Sequence, residues 1–292
     1  MEKSLDLVRK SFILYRSKFL VFLTLGTISF VIGLVQLLAI RIHSMSLFIL
    51  SLLFTIVVSY IVYIAMIRAA TEPARMSAGE VLARVEHFIL PSVWVSLAML
   101  LISLGGIFML VIPGLIAAFL IMFAVFALIV DHYQQIDAIV YSWHLVKKQW
   151  LALFIRMFVA NLIFGLIALG IFVIFWALGI GESPIQTVSR VRQGSLGISI
   201  SQSILEQAVT NFFSVPVTIS FMSILYSSAK RRVPDGPNEK EVESIKKIIK
   251  VLAVVGIIFL LLGFFASSLR LAQIIPELIR ITHLPAAVFT AF

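Results

Sequence analysis

Seven runs of apolar residues, each long enough to cross a lipid bilayer as a helix, limit what this chain can fold into more than any other feature. A helix rises about 1.5 Å per residue, so about 20 apolar residues span a ~30 Å hydrocarbon core. The chain has 292 residues, of which 61% are hydrophobic and 13% charged, too few polar groups to cover a soluble domain. We therefore predict an all-α polytopic membrane protein. The predicted spans are residues 19–40, 45–67, 92–112, 114–130, 150–178, 208–226 and 248–269.

The distribution of basic residues predicts the orientation of these spans. If all seven cross the membrane, 18 of the 23 Lys and Arg residues fall on the side of the N-terminus and five on the other side. Cytoplasmic segments of membrane proteins carry the excess of Lys and Arg, so we expect a cytoplasmic N-terminus and a C-terminus outside. The same asymmetry accounts for the net charge of +9 without a nucleic-acid partner.

The chain is predicted to form a single membrane domain, residues 1–292, built from two repeat halves. Residues 1–130 hold four spans, with a tight hairpin at Pro113–Gly114, and residues 131–292 hold three. The apolar segment 271–292 is interrupted by Pro276 and Glu277. We therefore expect this segment to lie on the outer membrane surface or to re-enter it.

Amphipathic segments precede the first and fifth spans and predict helices in the headgroup region. Apolar residues at helical spacing form one face of residues 5–19 and of residues 136–150, and the basic residues lie outside that face. The two segments align residue by residue over these ranges, and weaker copies begin at the helix-capping residues Ser77 and Asn238. The predicted interfacial anchors are Phe12, Phe19, Trp143, Lys147, Lys148 and Trp150.

The stretch from Ile112 to Phe154 is similar to a known family. Its letters IPGLIAAFLIMFAVFALIVD and IDAIVYSWHLVKKQWLALF give a Pro-Gly turn, a span ending in Val-Asp, and an amphipathic helix with Ser-Trp, a Lys pair and Trp. This pattern resembles the glycerophosphodiester phosphodiesterase membrane-domain family and related uncharacterised integral membrane proteins of prokaryotes. The resemblance implies the membrane fold and a place in a prokaryotic cell membrane. It implies no hydrolysis, because no catalytic barrel follows in this sequence.

Polar side chains recur along the sixth predicted span and form the main candidate site. Their spacing of three and four residues places them on one helix face, running from the outer surface toward the bilayer centre. Glu206 would lie at the mouth of a cavity for a polar or cationic ligand; alternatively, the hydroxyls bond across helices and Glu206 marks the interface. Pro216 is predicted to free the carbonyl four residues before it. The candidate polar-path residues are Ser203, Glu206, Gln207, Thr210, Asn211 and Ser214.

Two polar residues inside the fifth span are a further candidate, because such residues are costly in lipid. Arg156 lies about 9 Å past Trp150 along a helix, so we expect its side chain to reach the lipid headgroups. Asn161 is expected to hydrogen-bond a neighbouring helix.

Glycines seven residues apart on one helix face predict close contacts between spans. The pairs are Gly26 with Gly33, and Gly256 with Gly263.

The residue pattern favours a protein without catalytic or metal-binding groups. The chain has no cysteine, and its histidines are not at metal-ligand spacing, so we predict no metal, no cofactor and no enzymatic activity. The leading hypothesis is a membrane protein that binds or organises lipids or supports a membrane complex, with anionic headgroups on the cytoplasmic side as partners. Both a homo-oligomer and a complex with another protein are left open. The alternative is a transporter or channel with a polar path along the sixth span.

Overall fold

Helices form the described part of the chain, and seven of them are long and apolar enough to cross a membrane. The computed structural model describes residues 4–42, 45–73, 76–179 and 200–282, without the side chains of residues 40, 41, 45, 200, 201 and 266–282. The prediction of an all-α membrane protein with seven candidate spans is confirmed. These spans are Phe19–Ala39, Ser46–Thr71, Glu86–Met109, Val111–Asp131, Trp150–Ala177, Gln202–Arg232 and Glu239–Phe265.

The described helices follow one another with short connections. They are α1 (Ser4–Ser17), α2 (Phe19–Arg41), α3 (Met45–Thr71), α4 (Ala78–Ala83), α5 (Glu86–Met109), α6 (Val111–Leu120), α7 (Ala124–Asp131), α8 (Gln135–Lys147), α9 (Trp150–Ala177), α10 (Ile200–Val209), α11 (Val215–Arg232) and α12 (Glu239–Thr282). A π-helical segment, Thr210–Ser214, joins α10 to α11.

The fourth predicted span is divided into two helices, α6 and α7. A break in a helix leaves backbone N–H groups without an intrahelical partner. Here the buried hydroxyl of Ser142 accepts a hydrogen bond from the N–H of Phe123, at 3.0 Å. The hairpin before α6 turns at Leu110, whose backbone is extended, and Pro113 lies in the first turn of α6, where its missing N–H removes no helical hydrogen bond.

The last helix differs from the prediction, because α12 continues without a break from Glu239 to Thr282. The side chain of Asn238 accepts a hydrogen bond from the N–H of Glu241, at 2.9 Å, and so caps the start of the helix. The helix has no break between the predicted amphipathic segment at its start and the predicted span, and it has no break near residue 270. Pro276 lies inside this helix, and residues 283–292 of the predicted surface segment lie outside the described residues.

The chain divides into two compact units. The main unit comprises Met1–Val95 and Phe123–Pro237, and the smaller unit comprises Ser96–Met122 and Asn238–Phe292. The predicted halves, 1–130 and 131–292, do not correspond to these units, since each unit contains segments from both halves. The break between α6 and α7 coincides with the boundary at Met122.

Within the main unit, the helix pair α1–α2 recurs as α8–α9, in the alignment that the sequence predicts. The two spans begin at aligned positions, Phe19 and Trp150. The buried residues of α9 are Leu153, Arg156, Ala160 and Phe164, and the residues aligned with them, Phe22, Leu25, Ser29 and Gly33, are buried in α2. Both copies therefore turn the same helix face toward protein, so the repeat is present in the packing as well as in the sequence.

The amphipathic helices of the two copies differ in their surroundings. Helix α8 is buried from Ala138 to Val146 and contacts α7, α9 and α11, so protein covers all its faces. Helix α1 packs mainly against α11 and α9, but its Leu5 and Ile13 are 65% and 58% exposed. Leu5 and Phe19, at the two ends of the predicted apolar face, are exposed, but Val8 is 6% exposed and Phe12 packs against Phe164 and Phe213. The middle of this face therefore meets protein and not lipid, which corrects the prediction from the amphipathic pattern.

In the smaller unit, the backbones of two helices meet at glycines. A Cβ atom at Gly105 would overlap the carbonyl of Leu252, and one at Gly256 would overlap the carbonyl of Leu101. The predicted close contact at Gly256 is therefore confirmed, whereas a Cβ at Gly263 would meet no atom within 4 Å. Phe108 stacks on Phe259 at 3.9 Å between ring centroids, which extends the same contact.

Candidate functional site

The two repeats share a connection at the point where the amphipathic helix ends and the span begins. We call residues 16–19 the first junction and residues 147–150 the second junction. In the first, the Lys18 ammonium donates a hydrogen bond to the carbonyl of Glu72, just after α3, at 3.1 Å. In the second, the aligned Gln149 amide donates to the carbonyl of Ala229, in the last turn of α11, at 3.1 Å. Each junction is thus tied to the C-terminal end of another span of the main unit, and we call this end of the main unit the basic end.

A groove of about 850 Å³ opens beside the first junction. Its walls come from the end of α1, the start of α2 and the residues that lead into α4. Ser77 caps α4 in a reciprocal capping box with Glu80, which fixes this third wall. The groove is lined by Ile13, Arg16, Ser17, Lys18, Phe19, Leu20, Val21, Thr24, Met76, Ser77 and Ala78.

The lining of this groove combines positive charge with apolar surface. Arg16 and Lys18 supply two cationic groups, and no carboxylate side chain is among the described residues of the lining. Phe19 is 43% and Leu20 is 75% exposed at the start of the span. The groove therefore offers positive charge beside a surface that can contact acyl chains, at the level where a span enters the bilayer.

A second concentration of positive charge lies at the second junction. Lys147 and Lys148 are exposed at the end of α8, and Arg231 and Arg232 are exposed at the end of α11. The hydrogen bond between Gln149 and Ala229 holds these two helix ends together. We call these four residues, which lie at the two joined helix ends, the basic cluster.

A buried carboxylate also stabilises the basic end. Asp131, at the end of α7, accepts a hydrogen bond from the hydroxyl of Tyr226 and forms an ion pair with Lys230. The Asp131 side chain is 11% exposed, so both partners are needed to offset its desolvation. The contact joins α7 to α11, and Lys230, Arg231 and Arg232 are all exposed at this helix end.

Two buried side chains of α8 complete the basic end. Burial, the carboxylate of Asp131 and the phenol of Tyr133 raise the pKa of Tyr141 to about 12. His144 is 1% exposed, and its Nε2 lies 3.1 Å from the carbonyl oxygen of Asp235, which fixes the loop after α11. The His144 contact links α8 to that loop.

A second groove lies at the opposite end of the main unit, between α2 and α10. It has a volume of about 340 Å³ and is lined by Leu37, Ser203, Glu206, Gln207, Thr210 and Asn211. Five of the six predicted polar-path residues therefore share one groove, which we call the polar groove. Ser214 does not line it, and Thr218, one turn further, is exposed on the surface of α11.

A π-helical segment underlies the inner end of the polar groove. Pro216 has no N–H for the carbonyl of Phe212, and the hydroxyl of Tyr15 donates to that carbonyl instead, at 2.7 Å. The predicted effect of Pro216 is thus confirmed, and π-helical turns are frequent at functional sites. Gly26 approaches the carbonyl of Asn211, and Gly33 approaches the side chain of Gln207, as the glycine spacing predicts.

The remaining predicted site residues lie partly inside the protein. Arg156 is 3% exposed, so protein encloses it and it does not reach the headgroups as predicted; the burial pattern of α9 turns this position inward. Asn161 is exposed on α9, so its expected hydrogen bond to a neighbouring helix stays a prediction. Of the predicted anchors, Phe19 and Trp150 are exposed at the starts of their spans, whereas Trp143 is 8% exposed. Phe12 packs against Phe164 and Phe213.

Within the described ranges, no group of three or more His, Cys, Asp or Glu side chains could hold a metal ion. The sequence reasoning missed Tyr15, Tyr226 and the role of Asp131, because their partners are far away in the chain. A polar residue at the end of an apolar run was the one available signal for Asp131. No protein-family profile, curated protein or solved structure matches this chain.

Proposed function

We propose that this is a non-enzymatic integral membrane protein that binds anionic lipid headgroups at the basic end of its main unit. The main support for the proposal is the groove beside the first junction. It combines Arg16 and Lys18 with the exposed apolar residues Phe19 and Leu20. A lipid offers the same combination, an anionic headgroup attached to apolar chains.

The basic cluster of the second junction supports the same function. Lys147, Lys148, Arg231 and Arg232 lie at the two joined helix ends. Each basic residue near an anionic membrane surface contributes about 1 kcal/mol to binding. With the predicted orientation, both junctions face the cytoplasmic leaflet, where anionic lipids are concentrated. The resemblance to the membrane-domain family adds the expectation of a prokaryotic cell membrane and carries no catalytic residue to this chain.

The double variant Arg16→Gln/Lys18→Gln tests this proposal. Glutamine at position 18 removes the charge and keeps a side-chain donor for the carbonyl of Glu72, as Gln149 does in the second repeat. The purified protein is incubated with phosphatidylglycerol and phosphatidylcholine of identical acyl chains, and native mass spectrometry measures the lipids retained. Loss of two charges should lower the preference for phosphatidylglycerol by roughly ten- to thirtyfold.

The matched control is Arg9→Gln/Lys10→Gln. These exposed residues lie on the same helix and carry the same charge, but they do not line the groove. The control should retain most of the preference. An equal loss in both variants would show a general attraction to the basic helix and would contradict binding in the groove.

A transporter or channel with a polar path along the sixth span is the second candidate function. The polar groove supports it, because five of the six path residues line that groove. Weighing against it, Phe212 and Phe213 lie beyond the groove in contact with Phe30 and Phe12. Access of water to Ser214 would distinguish a continuous path from a groove that ends at Asn211.

A further inference from the structure

We propose that the polar groove binds a primary ammonium group, as found on an aminophospholipid headgroup or on a small soluble amine. The polar groove lies at the end of the spans opposite to the basic end. The proposal is therefore independent of headgroup binding at the two junctions.

The side chains of the groove offer mainly hydrogen-bond acceptors. Glu206 is exposed at its rim and supplies a carboxylate, one oxygen of which accepts from Gln202 at 3.1 Å. The Oε1 of Gln207 is buried against Gly33 and is therefore not open to a ligand. The amide nitrogen of Asn211 donates to the carbonyl of Gln207, at 2.9 Å, which leaves its oxygen as the group that can take a ligand donor.

The hydroxyls of Ser203 and Thr210 can accept or donate, and no Lys or Arg is among the described residues that line the groove. Since Glu206 supplies a negative charge that only accepts, a ligand that donates hydrogen bonds and carries positive charge fits this set. A primary ammonium has three donors and no acceptor. An anion would find no cationic partner among the described lining residues.

The lining also distinguishes between kinds of cation. Quaternary ammonium groups cannot donate hydrogen bonds and are usually bound by aromatic side chains, but the described lining contains no aromatic residue. A divalent metal ion prefers several carboxylate or carbonyl oxygens, and among the described lining residues Glu206 is the only one with a carboxylate. The primary ammonium is the class that fits the residues present.

The position of the groove along the spans agrees with a headgroup. Leu37 lies 18 residues after Phe19 on α2, so the two are roughly 27 Å apart along the helix axis. This distance is close to the thickness of the hydrocarbon core. The groove therefore lies at the level where the headgroups of the opposite leaflet begin, and Leu37 supplies an apolar contact beside the acceptors.

The test compares phosphatidylethanolamine with phosphatidylcholine of identical acyl chains, because the two headgroups differ only in the methyl groups that remove the N–H donors. Native mass spectrometry of the purified full chain measures how much of each lipid is retained. Wild-type protein should retain phosphatidylethanolamine about tenfold better. Glu206→Gln should abolish this preference, and Thr210→Val should reduce it.

The control variant is Glu86→Gln, which removes an exposed carboxylate at the start of α5 and should keep the wild-type preference. Free ethanolamine, measured by isothermal titration calorimetry, separates the two sources of the ligand. Binding of ethanolamine alone assigns the site to soluble amines, and binding of the lipid alone assigns it to the headgroup; either result supports ammonium recognition. Equal retention of the two lipids without ethanolamine binding, or an unchanged preference in both groove variants, would overturn the proposal.

Discussion

At the scale of single residues, the basic end depends on buried polar groups that the sequence presents as isolated positions. Asp131 follows an apolar run and Tyr226 lies inside another, and 95 residues separate them in the chain. Burial, together with the carboxylate of Asp131 and the phenol of Tyr133, raises the pKa of Tyr141 to about 12. Burying these polar groups costs desolvation, and their contacts are stable only when every group has a partner. Ionisation of one of these groups therefore makes the stability of the fold depend on pH.

We expect the alkaline stability of the protein to depend on Tyr141. A tyrosine in the unfolded chain has a pKa of about 10. The contribution of Tyr141 to the stability of the fold is therefore complete below about pH 10 and is lost as the pH rises toward about 12. In that range the unfolded chain releases a proton that the folded protein retains. Tyr141→Phe should make the unfolding temperature in detergent fall less steeply between roughly pH 10 and 12. Parallel profiles for the variant and the wild type would contradict this assignment.

At the scale of elements, the sixth span illustrates how one proline is accommodated within a membrane. Pro216 and the carbonyl it leaves free are evident in the sequence. The donor, Tyr15, is 197 residues away on α1, and burial raises the pKa of its hydroxyl, which therefore stays protonated and can donate. In lipid, an unpaired backbone carbonyl is costly, so the π-helical segment and α1 depend on each other.

This dependence predicts a coupling between Tyr15 and Pro216. Tyr15→Phe should lower the free energy of unfolding by about 1–3 kcal/mol, because it leaves the carbonyl of Phe212 without that donor. In a Pro216→Ala background the loss should be smaller, since the new N–H at position 216 can bond to the same carbonyl. A double-mutant cycle measured by unfolding in mixed detergent gives the coupling. Strictly additive effects would rule out the shared carbonyl as the connection.

At the scale of the whole molecule, one sequence repeat does not define one compact unit. The alignment of α1–α2 with α8–α9 predicts that α2 and α9 bury the same helix face. The main unit nevertheless includes both copies, whereas the smaller unit comprises most of α5 together with α6 and α12. The orientation of the molecule follows from charges on the connections and not from packing.

The cysteine-free sequence allows this orientation to be measured directly. With the N-terminus in the cytoplasm, a membrane-impermeant maleimide should label Glu206→Cys in intact cells. It should label Asp235→Cys only after the cells are made permeable, because Asp235 lies in the exposed loop after α11. The reverse pattern would show the opposite orientation. Labelling of Ser214→Cys as fast as Glu206→Cys would favour a continuous polar path.

The sequence by itself determined the number of spans, the repeat of an amphipathic helix with its span, and the effect of Pro216, because hydrophobic length, helical spacing and the missing N–H of proline are local properties. The tertiary structure decided which helix faces meet protein. It enclosed Arg156 and Trp143, and it joined the ends of α8 and α11 through the Gln149–Ala229 hydrogen bond. It also gathered Glu206 and Thr210 with Leu37 into one groove. Apolar side chains suit lipid and protein equally well, so hydrophobicity cannot distinguish a face that packs from a face that meets the membrane.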